Sequence, residues 1–282
     1  MALMIQVSEL SFYTAEGRLV LEDVHLRVER GEWLLILGPP ESGKTVFLKL
    51  LLGEFRPRKG QILVNDRNVT RLSPEKALAL RRSIGVIPQP PIPLGPRRVR
   101  EYLLFKLRGL GLEPEEAERK VQDTLENLAL ERLADQPAEG LPRVEQALVQ
   151  LALAVCNDPI LLMADEPCAG LDPSGAVQVF EAIQRLHQRK RLTILTTTQD
   201  GELAERFGTR VLRLENGRFI AVERPRPGPE PKPKSKPKRE PKKEGEEGEE
   251  KPKEAEEGAQ QEAIGEHVEE GAGDANPSPE QE

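Results

Sequence analysis

Along residues 3 to 222 the apolar positions switch between a period of two and a period of three to four, with short unbroken apolar runs between. Leu3 to Leu10 alternates well enough for a strand, and Leu19 to Val28 reads as another. Gly31-Glu32 turns the chain into the strand Trp33-Leu34-Leu35-Ile36-Leu37, and an apolar helical run follows from Val46 to Leu52. Gly60 to Val64 is a short strand. Ser73-Pro74-Glu75 opens a helix carrying Ala77 to Arg82, with Ser as N-cap and Pro at the first helical position. Ile84 to Ile87 has the composition of a buried strand and ends at Pro88-Gln89. The prolines from Pro90 to Pro96 fix an extended, exposed loop, either a connector or a docking loop. Helices around Arg98 to Arg108 and Glu115 to Leu128 interrupt the strand–helix alternation and read as a lobe of their own. An apolar helix, Arg143 to Cys156, stops at Asp158-Pro159. Then come the buried strand Ile160 to Ala164, an amphipathic helix Pro173 to Arg189, a strand Leu192 to Thr197 and a short helix Glu202 to Phe207. Val211 to Leu214 and Arg218 to Val222 flank Asn216-Gly217, a strong hairpin turn. The alternation predicts an α/β fold.

Two stretches carry chemistry. The first is Gly38-Pro39-Pro40-Glu41-Ser42-Gly43-Lys44-Thr45, set between the Trp33 strand and the Val46 helix. Strand, glycine-bounded loop and helix are the context that makes GxxxxGK[ST] a phosphate-binding loop. Backbone N–H groups and the helix N-terminus face phosphate with partial positive charge. Lys44 reaches the terminal phosphates, and the Thr45 hydroxyl is placed to ligate Mg²⁺. The second is Asp165-Glu166, closing the Ile160 strand and followed by Gly170-Leu171-Asp172. Asp165 would hold Mg²⁺ directly or through water, and Glu166 would polarise an attacking water. Phe12 and Tyr13 are placed between the first two strands; a ring there either stacks on an adenine base or packs as an ordinary half-buried strand side chain, and Tyr13 is the better candidate for stacking.

Composition changes the picture at the C-terminus. From Pro225 onward there is no aromatic residue, and Pro, Lys, Glu and Gly dominate, so the stretch 225–282 is expected to be disordered. It is Pro/Lys-rich to Lys243 and mostly acidic after it. It holds 10 Lys and Arg against 17 Asp and Glu, which accounts for the formal net charge of −7 and leaves residues 1–224 neutral. A neutral domain gives no electrostatic ground for nucleic-acid binding. The two cysteines, Cys156 and Cys168, lack metal-ligand spacing and fit a reduced cytoplasmic chain. The N-terminus does not read as a secretory signal, and no apolar run approaches the ~18–20 residues needed to span a bilayer. Work at a membrane would need a second chain to do the spanning.

With these residues in place, 3 to about 222 resemble the nucleotide-binding domain of an ABC-type ATPase. Beside the phosphate loop and Asp165-Glu166, Gln89 resembles the Q-loop glutamine, which contributes to the metal and to catalysis, and Gly170-Leu171-Asp172 resembles the D-loop. The stretches Leu48 to Glu54, Gly60 to Val64 and Arg81 to Val86 are most similar to the cell-division ATPase FtsE and its exporter relatives. The resemblance implies a P-loop NTPase fold with a β subdomain, a mixed or parallel-sheet core and a helical subdomain at about 97–157. It also implies ATP and Mg²⁺, with Gly38 to Thr45 and Tyr13 around the nucleotide. A homo- or heterodimer of such domains would work with a transmembrane permease-type subunit (FtsX-like or an exporter) at the inner face of the cell membrane.

Three departures bear on activity. Where relatives carry LSGGQ, this chain has Leu141-Pro142-Arg143-Val144-Glu145. In the family that serine and the glycine N–H groups close over the γ-phosphate bound by the partner domain. Here Pro142 has no N–H to offer, and Arg143 and Val144 carry side chains where backbone must approach phosphate. The family's switch histidine is replaced by Gln199, which donates a hydrogen bond but carries no proton or charge. Glu41 stands where the loop usually has glycine. The expectation is Mg-ATP binding with slow hydrolysis, or a nucleotide-binding scaffold that does not hydrolyse.

Overall fold

The structure is a computed structural model that describes residues 2–221. The expected tail, 225–282, and the boundary at residue 224 lie outside the described residues. Two sheets organise the chain. The first contains β1 (Leu3–Tyr13), β2 (Leu19–Glu29), β4 (Lys59–Val64) and β5 (Arg67–Asn68) in the order β2-β1-β4-β5, all pairs antiparallel. The second adds β3 (Trp33–Leu37), β6 (Ile84–Ile87), β7 (Leu161–Ala164), β8 (Thr193–Thr198), β9 (Arg210–Glu215) and β10 (Arg218–Ala221) in the order β10-β9-β3-β8-β7-β6. Its strands run parallel except β10, which folds back on β9 through Asn216-Gly217. That turn needs left-handed backbone, and Asn216 and Gly217 supply it at φ 48° and 76°. A Cβ at Gly217 would fall 2.7 Å from the carbonyl oxygen of Val20, so only glycine lets the hairpin tip lie against β2.

The helices are α1 (Lys44–Leu51), α2 (Pro74–Arg82), α3 (Val99–Gly109), α4 (Pro114–Leu128), α5 (Arg143–Val155), α6 (Pro173–Lys190) and α7 (Gly201–Phe207). α1, α2, α5 and α7 pack directly against strands, whereas α3 and α4 pack on α5, and α4 also on α6. One buried cluster joins the first sheet, α1 and one face of β3, β7 and β8, through Phe47, Leu50, Leu34, Ile36 and Met163. The other joins the opposite face of the second sheet to α3–α7, from Trp33 and Leu162 through Phe180 to Val121 and Leu103. The inserted helices α3 and α4 thus share a continuous apolar core with the sheet rather than burying one apart. None of the described helices is long and apolar enough to cross a membrane.

Two sequence expectations need correction. Phe12 and Tyr13 do not lie between strands; they are the last residues of β1, opposite Leu21 and Leu19 after shifts in register that carry the ladder onward. The two-residue strand β5 has no counterpart in the sequence pattern, because Arg67-Asn68 is too short and polar to show one.

The register places the site. Leu37 lies opposite Thr198, Ala164 opposite Thr196, and Ile87 opposite Ala164, so β3, β8, β7 and β6 end at one edge of the sheet. Gly38, Gln199, Asp165-Glu166 and Gln89 follow those ends. Ligands of open α/β sheets bind at this carboxyl edge.

Candidate nucleotide-binding site

The loop after β3 curls so that Gly43, at φ 102°, caps the N-terminus of α1. The left-handed backbone favours glycine there, and a Cβ would also crowd a Val20 methyl at 3.1 Å. Lys44 opens the helix and is only 5% exposed. Its Nζ donates to the carbonyl oxygens of Gly38 and Pro39, each at 2.8 Å, and stands 3.1 Å from Glu166 Oε1. That ion pair is off-line for a hydrogen bond, so Glu166 Oε1 is buried with a charge partner but no donor. The other buried polar atom without a partner here is Ser42 Oγ.

A cavity of about 940 Å³ runs along this loop. Pro39 to Val46 line one wall, with Gln89, Glu166 and Gln199 facing them from the other strand ends. Its far end is formed by Thr14, Arg18, Leu19 and Val20 and by the hairpin residues Glu215 to Gly217. Most of the site residues expected from sequence are therefore brought to one cavity. Three are not in its wall: Gly38, whose carbonyl accepts from Lys44 Nζ, Tyr13 and Asp165. Tyr13 is half-exposed, and its ring faces the Arg58 guanidinium, 5.3 Å from the ring centroid. Asp165, 4% exposed, sits behind the wall. Glu41 lines the cavity from an exposed position, with left-handed backbone at φ 60°.

A residue that sequence reasoning missed ties the acidic pair together. Thr197, fully buried in β8, donates its hydroxyl to Asp165 Oδ1 at 2.7 Å and accepts the Glu166 N–H at 2.9 Å. A threonine inside an apolar-looking strand carries no local signal of such a role; only the pairing of β7 with β8 shows it. Close by, burial pushes the Cys168 thiol up to about 12, helped by the carboxylates of Asp200 and Glu166, so it stays protonated.

The segment Leu141-Pro142-Arg143-Val144-Glu145 forms the start of α5, away from this cavity. Pro142 is the N-cap and offers no N–H. Arg143 Nη1 donates to the Gly170 carbonyl at 3.2 Å, Glu145 pairs with Arg132, and Gln146 Nε2 donates to the Leu141 carbonyl at 2.9 Å.

A phosphate loop at a helix N-terminus, facing a glutamate from the neighbouring strand ends, defines a P-loop nucleotide site. The family model described as "ABC transporter" matches residues 21–169, and the chain belongs to that family as an ABC-type ATPase subunit that binds ATP. It is 30% identical over 212 residues to the cell division ATP-binding protein FtsE of Mycobacterium tuberculosis, covering 75% of this chain and 92% of that one. Among solved structures it matches cbiO1 of Clostridium perfringens, part of the ABC transporter complex cbiONQ, with TM-score 0.72, 26% identity and coverage of 78% and 88%. It also matches a dimeric bacterial ABC transporter cassette, with TM-score 0.67, 26% identity and coverage of 77% and 96%. Subunits of this kind are the ATP-binding components of membrane transporter or cell-division complexes and pair with a second cassette and a transmembrane partner.

Proposed function

We propose that this chain binds Mg-ATP in the cavity beside Lys44 and couples it, with slow hydrolysis, to a transmembrane partner at the inner face of the cell membrane. The observation that carries the reading is the meeting of Lys44 and Glu166 at 3.1 Å across the cavity wall. It sets the candidate phosphate-binding cation and the candidate base side by side, so one terminal phosphate would lie within reach of both. Ser42 Oγ and Glu166 Oε1, buried without hydrogen-bond donors or acceptors of their own, are groups that a phosphate and its attacking water would satisfy.

The donor set fits Mg²⁺. Thr45 and Gln89 at the wall and Asp165 behind it are hydroxyl, amide and carboxylate oxygens, the hard ligands this ion takes. When bound, Mg²⁺ neutralises charge on the β- and γ-phosphate oxygens. The chain's own groups do the rest. The loop N–H groups and Lys44 hold the phosphates, Glu166 takes up the proton of the attacking water, and Gln199 hydrogen-bonds near the terminal phosphate without changing charge. The far end of the cavity, formed by Thr14, Arg18, Leu19 and Val20 just past Tyr13, receives the base. The partner docks on the proline loop and α3, where Ile92 and Phe105 are 60% and 68% exposed and Arg97 lies over the Phe105 ring.

A second reading, a scaffold that binds nucleotide without turnover, is favoured by one feature: the start of α5 has no free N–H at Pro142 and spends Arg143 on Gly170. Steady-state phosphate release, with ATP binding on the same samples, separates the two. Turnover in the wild type that Lys44→Ala and Glu166→Gln both abolish supports the ATPase. Binding lost in Lys44→Ala, with wild-type release no higher than that of Glu166→Gln, supports the scaffold. Absence of ATP binding by the wild type overturns both.

A further inference from the structure

We infer that Thr197 is a positioning residue for the acidic pair, one hydroxyl that fixes where both Asp165 and Glu166 stand. The polarity of the contact is forced. The Glu166 N–H can only donate, so Thr197 Oγ1 must accept it at 2.9 Å. The hydroxyl has a single proton, and it goes to Asp165 Oδ1 at 2.7 Å. Asp165 must therefore offer an unprotonated oxygen on that side, and Oδ2 is left as the oxygen able to serve a metal. The same hydroxyl acts on backbone. The main-chain ladder between β7 and β8 ends with Ala164 opposite Thr196, so Thr197 extends the pairing by a side chain just where main-chain pairing stops.

Glu166 needs that support. Its φ of 47° lies in the left-handed region, which a non-glycine residue adopts only when its surroundings hold it. The bond to Thr197 fixes its peptide, and the fixed peptide aims the carboxylate at Lys44. With the backbone held, Glu166 can leave Lys44 for a water by rotating its side chain alone. Thr197 itself is fully buried and Asp165 nearly so, which makes both bonds costly to break.

The catalytic half of this inference rests on the Mg-ATP reading; the tethering half does not, and the experiment keeps them apart. Amide exchange at Glu166 is followed by NMR in the full chain as wild type, Thr197→Val and Thr197→Ser, with ATP affinity measured in Mg²⁺ and in EDTA and phosphate release alongside. The wild-type Glu166 amide should be strongly protected although it lies beyond the strand ladder. Thr197→Val, nearly the same shape without the hydroxyl, should lose that protection. It should reduce turnover and the Mg²⁺-dependent gain in affinity by about 10- to 100-fold, as loss of a group that orients a metal ligand does, and leave affinity in EDTA unchanged. Thr197→Ser should restore all three. A freely exchanging wild-type Glu166 amide overturns the proposal without any variant. So does Thr197→Val matching wild type, Thr197→Ser matching Thr197→Val, or an equal fall of affinity in Mg²⁺ and EDTA. Wild type that binds no ATP while the amide behaves as expected would sink the nucleotide reading and leave the tether standing.

Discussion

The cavity beside Lys44 and the start of α5 use their polar groups in opposite ways. At the cavity, Ser42 Oγ and Glu166 Oε1 are buried and unbonded, and Lys44 is satisfied only by loop carbonyls and an off-line carboxylate. These groups hold interactions in reserve. At the start of α5, Arg143 is spent on Gly170, Glu145 on Arg132, and Gln146 on Leu141, while Pro142 has no N–H to give. One region holds buried polar groups without partners; the other, exposed at Pro142 and Arg143, already bonds its polar side chains within the chain.

The largest test of the contrast is Lys44→Ala. It leaves Glu166 as a buried carboxylate without a partner charge, and loss of one member of a buried pair costs about 3–5 kcal/mol. ATP binding should vanish, and thermal unfolding should show a lowered midpoint; Glu166→Gln, which leaves Lys44 buried without its partner charge, should lower it too. Wild-type melting of both variants would mean the pair is not what holds the cavity.

Next comes an attempt to reopen the second region alone: Pro142→Ser, Arg143→Gly, Val144→Gly and Glu145→Gln together. If the closed surface limits turnover, phosphate release should rise by roughly 10²–10³, the size of effect that donors to developing charge have elsewhere. Unchanged release, with ATP binding intact, would place the deficit in the cavity instead.

Glu41→Gly tests the one place where the cavity works against itself. The left-handed backbone at φ 60° costs a non-glycine residue about 1–2 kcal/mol, and the side chain adds a negative charge to the cavity rim. ATP affinity, read by titration, should rise several-fold and its salt dependence should weaken. No change in affinity would mean the carboxylate already turns to solvent.

The smallest effect is expected at the joint between the α4 lobe and the core, where Asp158 is bridged by Lys120 and Lys190. Burial alone would raise its carboxyl, but hydrogen bonds and charge from the two lysines outweigh that and hold it below the usual carboxylate range. A depressed carboxyl contributes stability above about pH 4 that is lost as pH falls through its folded value. Asp158→Asn, which keeps the left-handed backbone at φ 48°, should remove that acid-side slope and cost no more than about 1 kcal/mol at neutral pH, since the pair is partly exposed. Urea melts at pH 3 and pH 7 measure the difference.

The fold was legible wherever the pattern was local. Buried strands such as Ile84–Ile87, the Ser73-Pro74 helix start and the Asn216-Gly217 hairpin all announce themselves within a few residues. The phosphate loop and Asp165-Glu166 were legible for the same reason. What needed the structure was contact between distant segments. Tyr13 belongs to β1 because of its pairing with Leu19, not because of its own neighbours. Thr197 reads as one more β-branched residue in a buried strand until β7 is laid beside it. The helical insert looks separate in sequence, yet its apolar faces pack on α5 and α6 and join the core beneath them.

Trp33 offers a last consequence. It is the chain's single tryptophan, fully buried, with its indole N–H bonded to Thr196 at 2.9 Å. Thr196 is the residue before Thr197, so the chain's only indole chromophore is wired to the strand that holds the acidic pair. Its emission should lie in the blue, as for an indole shielded from water, and any shift of β8 on adding nucleotide should alter its intensity without a label. The protein carries its own optical probe, bonded to the residue next to Thr197.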